Sequence, residues 1–256
     1  MTATETALNA FAAIFINFDP QAAGQLLAPD YIQHNVAVPT SAAPILGFIP
    51  ALQDSGISAT THRIISEGDL VVMHNTYDNA TLLGSEQLVA FDVFRVEDGK
   101  VVEHWDNLSP ITEPNPSGHS QFDGETEITD RAATADNKAM VTDFIQTIMV
   151  DGQAARITDF ISTEMYIQHN SNIADGLDGL GAALGAMAEQ GISMVYTDLK
   201  IAVAEGNFVF TASEGKLGDV PTAFFDLFRV ENGYIVEHWD VISDIPEEMA
   251  HDNGKF

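Results

Sequence analysis

The sequence predicts an α+β protein with two homologous domains in tandem, on three observations. The motif DYIQHN at 30–35 recurs as MYIQHN at 165–170. FDVFRVEDGKVVEHWD at 91–106 recurs as FDLFRVENGYIVEHWD at 225–240, with twelve of the sixteen positions identical. The offsets, 135 and 134 residues, are nearly equal, so both motifs belong to one duplicated unit of domain size. In each copy helical patterns come first and strand patterns follow, which is the order of an α+β domain.

Three helices are expected at the start of each copy. Apolar residues recur at helical spacing in the first helix, at Leu8, Phe11, Phe15 and Phe18 in copy one and at Val141, Phe144, Ile145 and Ile148 in copy two. A second, short helix should lead into each YIQHN motif. A third should follow it, with Leu177, Leu180, Leu184 and Met187 in copy two and the less regular PILGFIPAL in copy one.

Four strands are expected after these helices. They lie in THRIISE, DLVVMHNTY, QLVAFDVFRVE and KVVEHWDNLS of copy one and in YTDLKIAVAE, NFVFTASE, AFFDLFRVE and YIVEHWDVIS of copy two. Asp98-Gly99 and Asn232-Gly233 are strong hairpin signals, because both positions of the favoured turn need positive φ. The result is an antiparallel meander that must bury one face against the helices.

The join between the copies has the composition of a linker. Residues 112–136 are rich in Pro, Gly, Ser, Thr and acidic residues and have little apolar periodicity. We therefore expect a first domain over 1–113, a linker over 114–135 and a second domain over 136–256.

The charge balance excludes several function classes. There are 38 acidic and 10 basic residues, for a net charge of −28, which is too little positive charge for binding nucleic acid or anionic membranes. The acidic surface either keeps the protein soluble or reflects a high-salt habitat. The chain has no cysteine, so disulfides, thiolate nucleophiles and cysteine zinc sites are excluded. No apolar run is long enough for a membrane span, and the amino terminus resembles a helix more than a signal peptide, so the cytoplasm is the default compartment.

The repeated EHWD strand is the candidate for chemistry. His104 and Asp106 share one face of their strand, while Glu103 and Trp105 share the other. The hairpin register stays open: a two-residue turn puts His104 opposite Val93, and a three-residue loop puts it opposite Asp92. If the face of His104 and Asp106 points inward, an imidazole and a carboxylate occupy an apolar enclosure and are suited to acid/base work; if Trp105 is the core residue, they are merely solvated.

Taken together, YIQHN, EGDLVVMH and FDVFRVEDGKVVEHWD resemble the SnoaL-like family of polyketide-cyclase-type proteins, within the nuclear-transport-factor-2-like superfamily. The resemblance covers each copy almost end to end, and the hairpin motif is similar to the subgroup of predicted aldol-condensation enzymes. It implies two cone-shaped domains, each with three helices packed into a strongly curved antiparallel sheet around a pocket. It also implies that the two domains could pair through their sheets as an internal pseudo-dimer, with further homo-oligomers possible.

The resemblance also implies site residues. Asp106 and Asp240 match the catalytic acid/base position, which turns His104 and His238 into the pocket and Trp105 outward. His74 matches a pocket position, but copy two has Ala212 there, which makes the first pocket the better candidate. The pocket mouth corresponds to Tyr31, Gln33, His34 and Asn35, with Tyr166, Gln168, His169 and Asn170 in copy two.

These residues suggest an aldol, cyclisation or isomerisation step on a small apolar carbonyl substrate, without metal or organic cofactor. Asp106 would take a proton alpha to the carbonyl, and His104, His74 or Tyr31 would polarise the carbonyl. Asp92, with Asp226 in copy two, could orient a histidine or contact the substrate. Epoxide hydrolysis would need the same groups.

Less specific alternatives stay open. The domains could bind a small apolar ligand without turnover, or form a purely structural pseudo-dimer with collapsed pockets. Asn35 could cap local backbone, and His74 could be a hydrogen-bonded core histidine. Glu103 and Glu237 are expected to face solvent, and Arg95 and Arg229 to form ion pairs on the sheet.

Overall fold

The computed structural model describes all 256 residues, which divide into two compact units. Unit 1 comprises residues 1–111 together with 245–256, and unit 2 comprises 112–244. The expected α+β order of elements is present in both. None of the helices is both long and apolar enough to cross a bilayer.

Unit 1 is a five-stranded sheet with three α-helices. Its elements are α1 Ala3–Phe15, α2 Pro20–Leu26, β1 Leu27–Gln33, α3 Ala42–Ser55, β2 Ser58–Glu67, β3 Leu70–Asp78, β4 Gln87–Glu97 and β5 Lys100–Pro110. The strand order is β1-β5-β4-β3-β2; β1 runs parallel to β5, and the other neighbours are antiparallel. β1 is the addition to the four predicted strands, and it brings the YIQHN motif beside EHWD.

Unit 2 repeats this topology. Its elements are α4 Thr134–Phe144, continued by a π-helix Ile145–Val150, then β6 Ile167–Gln168, α5 Gly176–Glu189, β7 Met194–Glu205, β8 Phe208–Leu217, β9 Val220–Glu231 and β10 Tyr234–Asp244. The order β6-β10-β9-β8-β7 matches that of unit 1 strand for strand.

Local signals explain where the helices begin. Thr2 and Glu5 form a capping box at the start of α1, with the Thr2 hydroxyl accepting from the Glu5 amide and the Glu5 carboxylate accepting from the Thr2 amide. Asp19 caps α2 and is followed by Pro20, which is suited to the first helical turn.

The helices of unit 2 differ from the prediction in two places. Its second helix is a 3-10 helix, Ala154–Asp159, and Gln153 at its cap position makes no side-chain cap hydrogen bond. Helix α5 has the predicted apolar residues, but none of its side chains is fully buried, and Leu184 is 37% exposed. By contrast, α3 of unit 1 buries Ile49 and Leu52 in the core.

The hairpin between β4 and β5 has neither of the two registers left open by the sequence. The turn is the two-residue type: Asp98 and Gly99 have φ of 49° and 74°, and Glu97 pairs with Lys100. The register then shifts, because Val96 pairs with Val101 but Arg95 pairs with Glu103, which leaves Val102 as an extra, bulged residue.

The bulge determines which residues face each other. Beyond it, His104 pairs with Phe94 and Asp106 pairs with Asp92. Unit 2 has the same shift between Ile235 and Glu237, with Asp226 opposite Asp240.

The segments that follow the two sheets belong to other units than the expected domain boundaries imply. The stretch 114–135, expected to be a linker, lies in unit 2, and the last twelve residues, expected in the second domain, lie in unit 1. Asn115 donates to the main-chain oxygen of Gln168, as Asn253 donates to that of Gln33. The polar residues of 114–135 therefore form hydrogen bonds within unit 2 and are not a free linker.

We predict that the same substitution has opposite effects at two glycines of unit 1. Gly99→Ala should destabilise unit 1 by about 1 kcal/mol, because an alanine Cβ disfavours positive φ. Gly47→Ala should stabilise it by about 0.5 kcal/mol, because Gly47 lies in helix α3 and a Cβ there meets no atom within 4 Å.

Urea denaturation followed by tryptophan fluorescence measures both free energies of unfolding. A Gly99→Ala protein as stable as the parent would contradict the assigned turn conformation.

Candidate active site

Unit 1 encloses a cavity with a mostly apolar wall and one polar cluster. The cavity volume is about 80 Å³. The apolar lining includes Phe11, Phe15 and Phe48 from the helices and Phe94 and Leu108 from the sheet. The polar lining consists of Tyr31, Gln33, Asn35, Tyr77, Asp92, His104 and Asp106. A concave apolar site with a few convergent polar groups is typical of small-molecule pockets.

Three titratable side chains meet in the polar cluster. Asp92, His104 and Asp106 are all buried, and one ligand-type atom of each lies within 4.8 Å of the others. The bulged register brings them together, since Asp92 lies opposite Asp106 on the cavity side of β4 and β5. His104 Nε2 is 3.2 Å from Asp92 Oδ1.

Asp92 is held by two neutral donors from β3. Its Oδ2 accepts from Asn75 Nδ2 at 2.7 Å and from the Tyr77 hydroxyl at 2.8 Å. Neutral donors satisfy a buried carboxylate without adding an opposing charge. Burial, followed by the charge of Asp92, raises the pKa of Tyr77, so this phenol keeps its proton.

Gln33 fixes the orientation of His104. Its Oε1 accepts from the main-chain amides of His34 and Asn35, at 3.0 and 2.9 Å, and contacts His104 Nδ1 at 3.0 Å. Because an amide oxygen carries no hydrogen and can only accept, Nδ1 must carry a proton. The other ring nitrogen, Nε2, faces the carboxylate of Asp92.

Asp106 retains unused capacity to accept a proton. The residue is only 6% exposed, and its Oδ2 accepts from Asn35 Nδ2 at 2.6 Å. Its Oδ1 is buried and has no hydrogen-bond partner. A buried carboxylate oxygen beside a cavity is poised to act on a ligand.

Tyr31 retains an unused proton. Its hydroxyl oxygen accepts from Gln33 Nε2 at 3.1 Å, which leaves the hydroxyl hydrogen available. Burial, with the charges of Asp106 and Asp92, raises the pKa of Tyr31 well above its ordinary value, so the group stays a donor.

Unit 2 builds the same cluster from the equivalent residues. His238 contacts Asp226 Oδ1 and Gln168 Oε1, both at 3.0 Å. Asn170 donates to Asp240 at 2.7 Å, and Gln168 donates to the Tyr166 hydroxyl at 3.2 Å. These contacts repeat those that Tyr31, Gln33, Asn35 and His104 make in unit 1.

One tyrosine of the cluster comes from a different strand in unit 2. Gly215 of β8 corresponds to Tyr77 of β3, and an added Cβ there would lie 2.1 Å from the Val195 oxygen. Tyr196 of β7 occupies this space, and its hydroxyl donates to Asp226 at 3.1 Å. Asp226 therefore has a phenol as hydrogen-bond partner, although the position equivalent to Tyr77 is a glycine.

The surroundings of unit 2 raise two pKa values. Burial by itself would lower the pKa of His238, but the hydrogen bond that its ring donates to Asp226 and the charges of Asp240 and Asp226 raise it overall. Burial raises the pKa of Asp240, while His238 and Asn170 act in the opposite direction. Raised pKa values at a carboxylate and a histidine in contact are frequent at functional sites.

His34 and His169, expected at the pocket mouth, do not face the cluster. His34 stacks on Trp105 with ring centroids 5.0 Å apart, and its Nε2 contacts Glu103 at 2.9 Å. His169 stacks on Trp239 in the same way and contacts Glu237. Successive strand residues point to opposite faces, so the rings of these histidines point away from the face that their Gln and Asn neighbours occupy.

The same contacts correct the expectation that Glu103 and Glu237 face solvent. Glu237 is 1% exposed, and both glutamates pair with an arginine on the sheet, Arg95 or Arg229. The expected ion pairs of Arg95 and Arg229 are present. Trp105 lies opposite the cavity, as expected, but it is buried against His34.

His74 also lies outside the cavity. It is buried between Phe91, with ring centroids 4.4 Å apart, and Arg63, whose guanidinium contacts Nδ1 at 3.1 Å. Its neighbours Met73 and Asn75 point to the cavity side of β3, so His74 must point to the other side. The alanine that unit 2 has at this position, Ala212, therefore removes no group from the cluster of that unit. The expectation that the first pocket is the better candidate is not supported by His74.

Sequence reasoning missed Asn75, Tyr77 and Lys255. Alternation in LVVMHNTY could have placed Asn75 and Tyr77 together on one face. Lys255 is remote in the sequence, and its Nζ lies 3.9 Å from Asp106 Oδ1.

Three clusters have residue types that could hold a metal ion. Two are the buried clusters of Asp92, His104 and Asp106 and of Asp226, His238 and Asp240, and the third is formed by His119, Asp123 and His169 in unit 2. In the buried clusters most ligand-type atoms already take part in hydrogen bonds with amide, hydroxyl or imidazole groups. In the third, His169 Nδ1 contacts the Ser120 carbonyl at 2.8 Å and so carries a proton.

We predict that unit 2 loses stability as the pH rises through the titration of His238. The pKa of His238 in the folded protein is raised above 6.5, so its contribution is complete below 6.5 and is lost as the pH passes the folded value. Asp240 acts in the same direction from a lower pH. Unfolding of a Trp105→Phe protein, followed through Trp239 between about pH 6 and pH 9, measures this loss.

The control is the same protein with His238→Gln, which should lose less stability over this range. An equal loss in both proteins would show that other groups cause it.

Comparison with known proteins finds similarity over part of the chain. Residues 8–104 match the family model described as SnoaL-like domain. No curated protein sequence matches the chain. TsrD from Streptomyces laurentii is 23% identical, over 42% of this chain and 88% of its own, with a TM-score of 0.36. IdmH from Streptomyces antibioticus, a proposed polyketide cyclase, is 21% identical, over 43% of this chain and 93% of its own, with a TM-score of 0.35.

An NTF2-like protein of unknown function from Cytophaga hutchinsonii is 14% identical, over 43% of this chain and 92% of its own, with a TM-score of 0.36. Each of these structures covers less than half of the chain. The family match lies within unit 1 and includes β1 to β4 and the start of β5 up to His104. The chain therefore contains a SnoaL-like domain, which spans residues 8–104.

Proposed function

We propose that the protein is a small-molecule enzyme that uses Asp106 as general acid/base on an apolar carbonyl compound. The observation that carries this proposal is the buried Asp106, which lines an apolar cavity beside His104 and whose Oδ1 has no hydrogen-bond partner. The reaction would be an aldol condensation, a cyclisation or a double-bond isomerisation, all of which begin with loss of a proton alpha to a carbonyl.

The mechanism follows from the two unused groups of the cluster. Asp106 takes the α-proton, the electron pair of that C–H bond forms the C=C bond of an enolate, and the π pair of the carbonyl group moves onto its oxygen. The Tyr31 hydroxyl, which stays protonated, donates a hydrogen bond to that oxygen. Asp106 then returns the proton to carbon in an isomerisation, or the enolate attacks a second carbonyl in a condensation.

The pair of His104 and Asp92 would support this chemistry indirectly. Asp92 faces one ring nitrogen of His104 while the other donates to Gln33, and Gln33 in turn holds Tyr31 and the amide of Asn35. Asn35 positions Asp106 through its side-chain amide. Base and enolate donor are therefore held by one hydrogen-bond network.

We extend the proposal to unit 2, with Asp240 as acid/base and Tyr166 as donor, and regard unit 2 as a second SnoaL-like domain. The repeated hydrogen bonds of Asn170 and Gln168 and the equal sheet order support this extension. Membership in the aldol-condensation subgroup and pairing of the two domains as a pseudo-dimer stay proposals made from the sequence.

A binding module is the second candidate, and the largely apolar lining of the cavity favours it. Such a module would bind an apolar ketone without exchanging its hydrogens. A purely structural pseudo-dimer is less well supported, because the first cavity is not filled by side chains.

We predict that the protein accelerates hydrogen–deuterium exchange at the α-carbons of 2-tetralone in heavy water. This ketone is apolar, and exchange needs only the first step of the mechanism. Asp106→Asn together with Asp240→Asn should lower the enzymatic rate by about 10²- to 10⁴-fold, because general-base catalysis is lost. Mass spectrometry of the recovered ketone measures the rate.

Asp30→Asn is the matched control, since Asp30 is an exposed aspartate on β1 outside the cavity, and its rate should equal that of the parent. Exchange at the parental rate in the double variant would refute the base assignment. A saturable shift of the unfolding temperature by 2-tetralone without exchange would favour the binding module.

We predict that Tyr31→Phe in an Asp240→Asn background lowers kcat for exchange by roughly 10²-fold with little change in KM. The reason is that the lost hydrogen bond forms mainly to the enolate, not to the ketone. A rise in KM with unchanged kcat would instead make Tyr31 a ground-state binding residue.

A further inference from the structure

The last twelve residues form a segment, 245–256, that packs on the YIQHN motif of unit 1. The Ala250 amide donates to the Val36 carbonyl at 2.9 Å, and the His251 ring contacts the Asn35 carbonyl at 2.9 Å. Asn253 donates to the Gln33 carbonyl at 2.9 Å. The C-terminal segment thus holds the main chain of the two residues that orient His104 and Asp106.

The segment also delivers a cation to the site. The Lys255 ammonium donates to the main-chain oxygen of Asp106 at 2.6 Å and lies 3.9 Å from its Oδ1. The lysine side chain is only 5% exposed. Burial lowers the pKa of Lys255, and the attraction of Asp106 opposes this effect. A buried ammonium is costly unless an opposite charge compensates it.

The cation is placed where two carboxylates repel each other. Asp92 and Asp106 face one another across β4 and β5, and both are buried. A positive charge beside Asp106 offsets this repulsion, whose magnitude is larger inside a protein than in water.

Unit 2 has a neutral residue at the corresponding place. The Ser120 carbonyl contacts His169 Nδ1 at 2.8 Å, as the Gly254 carbonyl contacts His34 Nδ1 at 3.0 Å. The next residue is Gln121, whose Oε1 accepts from the Thr112 amide. Asp240 forms no ion pair with a lysine or arginine.

We propose that Lys255 is a positioning residue of the first site, which holds the Asp106 carboxylate in place and offsets its repulsion by Asp92, so that the C-terminal segment is part of that site. This inference rests on the proposed role of Asp106. It also makes the two sites of one chain unequal, since only the first has an ammonium beside its base.

The test uses an Asp240→Asn background, so that exchange of 2-tetralone reports on the first site. Lys255→Met should lower kcat roughly tenfold or more, because misplacement of a catalytic group is costly, while KM changes little. Removing one partner of a buried ion pair lowers stability, because the other charge is left uncompensated, so the rates are compared under conditions in which unit 1 is shown to be folded. Lys255→Arg should retain more activity than Lys255→Met.

Lys216→Met is the matched control, because Lys216 is exposed on β8 of unit 2 and the same charge is removed. Its rate should equal that of the background protein. Unfolding of each variant followed through Trp105, in proteins that also carry Trp239→Phe, checks that unit 1 is intact.

Lys255→Ala separates charge from packing. Ethylammonium should restore part of its lost activity, whereas 1-propanol, which is similar in size and neutral, should not. Equal effects of the two additives, or equal rates for Lys255→Met and Lys216→Met, would overturn the inference.

The two proposals fail in different ways. If Asp106→Asn exchanges at the rate of the background protein, the function proposed for Asp106 is wrong. If Asp106→Asn is inactive while Lys255→Met is fully active, only the role of Lys255 is wrong.

Discussion

A single extra residue in the last strand of each sheet is the constraint on which both candidate sites depend. Val102 in β5 and Val236 in β10 are bulged, and beyond each bulge the pairing is displaced by one residue. Because side chains alternate along a strand, such a displacement decides which residues share a face. Here it puts Asp92 opposite Asp106 on the cavity side, with His104 beside them.

The cost of burying two carboxylates is met mainly by neutral donors. Asn75 and Tyr77 satisfy Asp92, and Asn35 satisfies one oxygen of Asp106. Amide and hydroxyl groups stabilise the charges without adding a further charged group to the cluster. In unit 2 the donor to the equivalent carboxylate, Asp226, is Tyr196. This tyrosine lies on β7, whereas Tyr77 of unit 1 lies on β3, the counterpart of β8.

The face opposite the cavity uses the same motifs for another purpose. His34 of YIQHN and Trp105 of EHWD stack there, and Glu103 joins His34 to Arg95. The two motifs therefore contact each other on both faces of the sheet. EHWD lines the candidate site with one face and packs against YIQHN with the other. Gln33 and His104 serve the cavity, whereas His34 and Trp105 serve packing.

The sequence by itself determined the duplication, the α+β order, the hairpin turns and the shared face of His104 and Asp106, because periodicity and turn chemistry are local properties. It also found Tyr31, Gln33, Asn35 and Asp92 near the site. Only the tertiary structure decided the rest. The bulge follows from the pairing of whole strands, the outward direction of His34 and His74 from strand neighbours, and the approach of Lys255 to Asp106 from a fold that joins residues 149 positions apart.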